Sequence, residues 1–174
     1  MPMSDKKQKS RTYRFAYAGM LIALGFVLSY LESLVTLPLP AGVKLGLANI
    51  VVLMAMETVG NVWALVISLV RVILVGFTFG SMFSMIFGLS GAILSFCVML
   101  LLKMSRKFTI TGISTAGGAA HNIGQLAAAV AVIGKSIFTY LPVLLAGGII
   151  SGILIGILGA LISATVKKAY SSTF

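Results

Sequence analysis

Few residues in this chain have the chemistry for catalysis. Its 174 residues include three acids (Asp5, Glu32 and Glu57), one histidine (His121) and one cysteine (Cys97). The acids lie far apart, so no acidic pair is spaced to hold Mg²⁺, and diphosphate-metal chemistry lacks its usual ligands. One His and one Cys cannot build a His/Cys metal cluster. Cys97 sits in an apolar run and is expected to be an inert packing residue, with no internal disulfide. The serines have no GxSxG elbow and no base partner. Ala129–Ser136 reads AVAVIGKS and fits a relaxed Walker A pattern. A P-loop follows a strand and opens a soluble helix. Here the segment ends an apolar helix, Ala129 stands where the first Gly belongs, and no acid follows to hold Mg²⁺. The expectation is a chain that is not an enzyme and holds no cofactor or metal.

A second set of residues suits binding better. Glu32, Lys44, Asn49, Arg71, His121, Asn122, Gln125 and Tyr140 lie inside or beside apolar segments, where a polar group needs a partner. A charge at the centre of a membrane helix costs about 2.5–3.5 kcal/mol on insertion scales, so Arg71 is not expected to face lipid. Two readings stand for each residue. Arg71 either pairs with Glu32 to hold two helices or meets a ligand. His121 and Asn122 either bond between helices or line a site. Lys44 either snorkels to the interface or joins the site.

The elements that position them follow from composition. Hydrophobic residues make up 59% of the chain and charged residues 9%. A soluble domain carries roughly 25% charged residues. So sparse a charge could not cover a core of this size, and lipid must solvate the surface. Spans of ~20 apolar residues are needed to cross a bilayer. The chain supplies six helical spans. They are expected at Tyr13–Val35, Leu45–Met56 (short, and irregular or re-entrant at its start), Asn61–Val75 or on to Phe79, Ser81–Leu102, Ile113–Ile133 and Leu141–Val166. Pro38 and Pro40 break the chain after the first. No A-x-A cleavage site follows that first span, which argues against a signal peptide. The fold class is therefore an all-α integral membrane protein: a basic tail at 1–12, a six-helix domain at 13–168 and a short tail at 169–174.

The net charge of +10 would suggest nucleic acid in a soluble protein. Here the bases lie between apolar segments, which excludes a basic groove and makes membrane lipid the expected surroundings. The N-terminal tail, the loop after span four and the C-terminal tail share one side if the spans number six. Ten bases then lie on that side, against Lys44 and Lys135 on the other. The positive-inside rule puts both termini in the cytoplasm of a multi-pass plasma-membrane protein. Glu32, Lys44, Asn49, Arg71, Tyr140 and the serines that open span four then fall in the outer half. His121, Asn122 and Gln125 lie near mid-membrane. Together these positions suggest a cavity open to the exterior for a polar or anionic small molecule.

Small residues mark helix contacts. Gly148, Gly152, Gly156 and Ala160 repeat every four residues along span six. Ala16, Gly19 and Ala23 share a face near the cytoplasmic end of span one. Such faces bring backbones close, either within the bundle or against another subunit.

The stretch LPLPAGVKLGLANIVVLMAMETVGNVWALVISLVRVILVGFTFGSMFS, with its Pro-rich opening and its Gly/Asn-containing second helix, resembles the S components of energy-coupling factor vitamin transporters. The KLGLANI run resembles the Gx transporters among them, many of which are labelled heptaprenyl diphosphate synthase component I. The likeness extends over nearly the whole chain. It implies capture of a vitamin-like substrate outside, then docking to a T-type membrane subunit driven by two cytoplasmic ATPases. It also implies that Ala16, Gly19 and Ala23 form the docking face, although Gly19 replaces an Ala there and the spacing is not AxxxA. The synthase label implies instead prenyl elongation. Without DDxxD motifs the chain would be a noncatalytic component of prenyl diphosphate or quinone synthesis. A membrane accessory of flavin or electron-transfer systems is the third reading.

Overall fold

The computed structural model describes residues 3–34 and 46–173, with side-chain surroundings for 12–34 and 46–161. The described residues form six α-helices and one short 3₁₀ segment. The helices are α1 (Met3–Leu34), α2 (Asn49–Thr58), α3 (Asn61–Thr78), α4 (Met82–Ser105), α5 (Ile110–Ile133) and α6 (Leu141–Thr173). The 3₁₀ segment, Lys135–Tyr140, links α5 to α6. All but α2 are long and apolar enough to cross a membrane. Large apolar side chains such as Phe77, Leu101 and Leu161 face outward, as lipid contact allows. The chain is thus a membrane helical bundle. The expected boundaries hold to within a few residues, except at the ends of α1 and α6, which continue into both basic tails.

Local chemistry sets the helix ends. Ser81 Oγ accepts from the Ser84 amide at 3.1 Å, and Thr109 Oγ1 accepts from the Gly112 amide at 3.1 Å. These caps satisfy first-turn donors of α4 and α5. Between α2 and α3 the chain reverses over Val59 and Gly60, and Gly60 takes φ 107°, a left-handed value that glycine adopts without a Cβ clash.

α2 is the exception among the helices. Its ten residues span about 15 Å at ~1.5 Å per residue, half of a ~30 Å bilayer core. It lies at the centre: Val51, Val52, Leu53, Ala55 and Met56 are buried in one cluster with residues of all five other helices. A half-length helix is tolerated at this depth because protein, not lipid, surrounds it.

Antiparallel contacts give the bundle two distinct ends. Phe15 and Trp63 stack edge to face with ring centroids 5.1 Å apart, so α1 and α3 start at the same end. Lys103 near the end of α4 contacts Glu57 near the end of α2 at 3.0 Å. Gly156 of α6 meets Thr111 at the start of α5. Arg14, Lys103, Arg106 and Lys107 therefore share one end of the bundle, and Lys135 lies at the other. Phe79, with Phe26 and Tyr30 packed on it at 5.2 and 5.3 Å, also marks that other end.

α4, α5 and α6 meet backbone to backbone. A Cβ added to Gly118 would lie 2.2 Å from the Gly148 carbonyl oxygen, and one added to Gly152 would lie 2.7 Å from the Thr115 Cα. Gly148, Gly152 and Gly156 of α6 thus serve internal packing, one of the two uses expected of them, whereas Ala160 is exposed. Cys97 departs from expectation. It is exposed on α4 rather than packed inside, because the inner face of that helix is taken by Ser95, Phe96 and Met99.

Candidate functional site

A cavity lies between α1, α3, α4 and α5, in the half of the bundle away from Lys103. Ser29, Glu32, Gly46, Arg71, Val72, Val75, Ser84, Gly88, His121 and Gln125 line it. It is small, about 30 Å³, room for a water molecule or two.

Each polar lining residue reaches it for a local reason. Ser29 and Glu32 are three residues apart, hence neighbours on one face of α1. His121 and Gln125 are four apart on α5 and meet at 2.5 Å between their Nε2 atoms. Arg71 reaches inward past Gly25: a Cβ there would come within 2.6 Å of its Cδ. Gly46 has φ 85°, which aims its amide at Glu32 Oε1, 2.6 Å away. A Cβ on Gly46 would also crowd Asn49 Nδ2 at 3.1 Å and His121 Cδ2 at 3.2 Å. Both consequences tie this position to glycine.

Arg71 and Glu32 interact electrostatically but take different hydrogen-bond partners. Arg71 Nη1 donates to Ser29 Oγ at 2.9 Å, whereas Glu32 accepts from Gly46. Two buried nitrogens here have no hydrogen-bond partner, Arg71 Nε and Asn49 Nδ2, while His121 also has a backbone contact with Gly91 of α4. Each such group carries an unrecovered desolvation cost of about 1–3 kcal/mol. Two of them, from α2 and α3, beside one cavity are unusual for a purely structural contact. With the Gln125 amide nitrogen as donor, the His121 imidazole accepts at Nε2 and holds its proton on Nδ1.

Of the eight residues expected to bind substrate, the structure puts Glu32, Arg71, His121 and Gln125 on the cavity and Asn49 beside it. Asn122 points elsewhere: its Nδ2 donates to the Leu144 carbonyl at 2.6 Å and ties α5 to α6. Tyr140 is exposed on the 3₁₀ segment, off the cavity. Lys44 lies outside the described residues. Ser29 and Gly46 were not among the expected site residues. The signal for Ser29 was its position one turn before Glu32; Gly46 gave none, because its role depends on a loop conformation. Ala16, Gly19 and Ala23 all lie on the exposed side of α1, and a Cβ on Gly19 would meet open space.

The segment once weighed as a P-loop ends α5 at Gly134 and runs into the 3₁₀ segment. It follows a helix, not the strand that phosphate cradling requires.

Residues 21–162 match the model of a family described as heptaprenyl diphosphate synthase component I. No curated protein matches the chain, and no solved structure does.

Proposed function

The chain belongs to the heptaprenyl diphosphate synthase component I family, and we propose that it works there as a membrane-embedded binding subunit of an uptake transporter. It takes a small polar, vitamin-like molecule at the Arg71 cavity. It then docks through Ala16, Gly19 and Ala23 to a T-type membrane subunit with two cytoplasmic ATPases. One observation carries this reading: Arg71 Nε, buried and without a hydrogen-bond partner, lies at a polar-lined cavity, with the unpartnered Asn49 Nδ2 beside it. Such groups are retained where a ligand completes them.

The family description favours a second reading, a membrane component beside a prenyl diphosphate synthase. In either case the chain's own part is noncatalytic. Glu32 lies at the cavity and Glu57 at the far end of α2, about 15 Å of helix away, too far to share a metal ion. By the positive-inside rule the Lys103 end faces the cytoplasm and the cavity opens outward in the plasma membrane.

Native mass spectrometry of the purified chain tests the binding role. A small molecule retained by the wild type and lost from Arg71→Gln is the expected result. Prenyl elongation by the chain alone, without a partner subunit, would refute the noncatalytic part. Cysteine labelling in a Cys97→Ala background tests orientation. An impermeant reagent should reach a cysteine at Lys135 and not one at Arg106.

A further inference from the structure

Taking the cavity as a ligand site, we infer that it opens sideways, by the outer half of α1 parting from α3, and that Phe26, Tyr30 and Phe79 form the latch that holds this wall shut. At about 30 Å³ the cavity has room for a water molecule or two, so a larger molecule enters only if one wall moves. The walls are not equally fixed. α3 closes tightly on α4: a Cβ on Gly76 would lie 2.7 Å from Met85 Cβ, and one on Gly88 would lie 2.9 Å from Val72 Cγ1. α4 closes on α5 in the same way, since a Cβ on Gly91 would lie 2.7 Å from the His121 carbonyl oxygen. Seams this close leave little freedom to adjust.

α1 is attached differently along its length. In its inner half Ala18 and Leu21 are buried in the central cluster, and Phe15 stacks on Trp63. From Gly25 to Leu34 the buried residues are Gly25, Ser29 and Glu32, and every apolar side chain is half-buried or exposed. Close packing, which drives helix association in lipid, therefore holds this half only weakly. Two contacts tie it to α3. Arg71 Nη1 donates to Ser29 Oγ at 2.9 Å. One turn beyond the cavity residue Val75, Phe79 takes Phe26 and Tyr30 edge to face, with centroids 5.2 and 5.3 Å away. Phe26 and Tyr30 are four residues apart on one face of α1, so both rings grip the same partner. Glu32 bonds the Gly46 amide, which joins α1 to the start of α2 rather than to α3. Edge-to-face pairs depend on ring geometry, so a modest swing of the outer half of α1 releases both together.

The test reads opening directly, on the full-length chain in nanodiscs with a Cys97→Ala background. Val75→Cys puts a thiol on the cavity wall. Its rate of reaction with 2-hydroxyethyl methanethiosulfonate, a small neutral thiol reagent, measures how often the cavity is open. Phe79→Ala is expected to raise that rate about tenfold, equivalent to ~1.4 kcal/mol of closing energy, which two ring pairs can supply. Phe79→Tyr keeps the ring and should leave the rate as it is. Tyr30→Ala removes one of the two pairs at an exposed position and should raise the rate about threefold. It decides the matter if Phe79→Ala fails to fold. As the control, Ser95→Cys places a thiol in the fixed seam between α4 and α5, where Ser95 Oγ lies beside Gly117. Its rate should not respond to Phe79→Ala or Tyr30→Ala. Equal acceleration at both thiols would show general loosening and overturn the latch. So would a Val75→Cys rate that neither substitution changes. Retention of a small molecule by the wild type is read separately by native mass spectrometry, so the latch can fail while the binding role stands.

Discussion

The two halves of this bundle are held together differently. In α4–α6, glycines let backbones touch: Gly118 meets Gly148, Gly124 meets Ser90, and Gly152 and Gly156 meet Thr115 and Thr111. In α1–α3, side chains make the contact. Gly25 makes room for Arg71, Phe15 stacks on Trp63, and Phe26 and Tyr30 stack on Phe79. A backbone seam has no rotamers to adjust, whereas a side-chain seam can yield at small cost. The cavity lies where the yielding half meets the rigid one. A site of about 30 Å³ that must admit a larger molecule has to widen, and α1–α3 is the side that can give.

The largest expected effect tests the rigid seam. Gly118→Ala would put a Cβ against the Gly148 carbonyl, and overpacking of this kind costs roughly 1–3 kcal/mol or more. Thermal unfolding in detergent should show a clear drop. Unchanged stability would mean that α5 and α6 part as easily as α1 and α3, and the contrast would dissolve.

Arg71→Gln probes the yielding side. It removes the charge and the guanidinium bond to Ser29, for about 1–3 kcal/mol of stability. Retention of small molecules should be lost while the helical far-ultraviolet signal persists. A variant that folds and still retains ligand would remove Arg71 from the site.

Lys103→Met acts at the opposite end of α2. Lys103 pairs with Glu57 at 3.0 Å and donates to the Met56 carbonyl, at the C-terminal end of the short helix. Lys103 is about a third exposed, so the pair is worth only about 0.2–1 kcal/mol. Ligand-dependent stabilisation should be unaffected. A large loss of binding would show that the two ends of α2 are coupled.

The smallest effect on the isolated chain is expected for Gly19→Leu, since open space surrounds that position. Unfolding should shift by no more than about 0.5 kcal/mol, as for other substitutions at open surface. Under the proposed role, pull-down of the T subunit should fail while ligand retention survives. An intact complex would dismiss this face as the docking surface.

Much of the fold was legible because membrane insertion obeys a one-dimensional rule. Twenty apolar residues in a row must become a helix, since no water satisfies the backbone in lipid. The spans expected at Tyr13–Val35, at Asn61–Val75 or on to Phe79, and the three later ones follow from local hydropathy alone, and the gathering of Arg14, Lys103 and Arg106 at one end follows from their order. α2 was legible as a short second helix, but not as the buried centre of the bundle, because centrality depends on contacts with five distant segments.

The candidate site divides the same way. That Arg71, Glu32 and His121 should not face lipid was determined by their chemistry within apolar runs. Which of them meet was decided only in three dimensions. His121 and Asn122 are adjacent in sequence but point about 100° apart on α5, so one faces the cavity and the other ties α6. That rotation is set by where glycines let α4 and α6 approach α5: at Gly91 and Gly124 on the α4 side and at Gly118, Gly148 and Gly152 on the α6 side. Likewise Glu32 bonds Gly46 and Arg71 bonds Ser29, because helix rotation and the φ of Gly46 place those atoms closest. Hydropathy is a property of each segment alone; the turn of a helix about its own axis belongs to its neighbours.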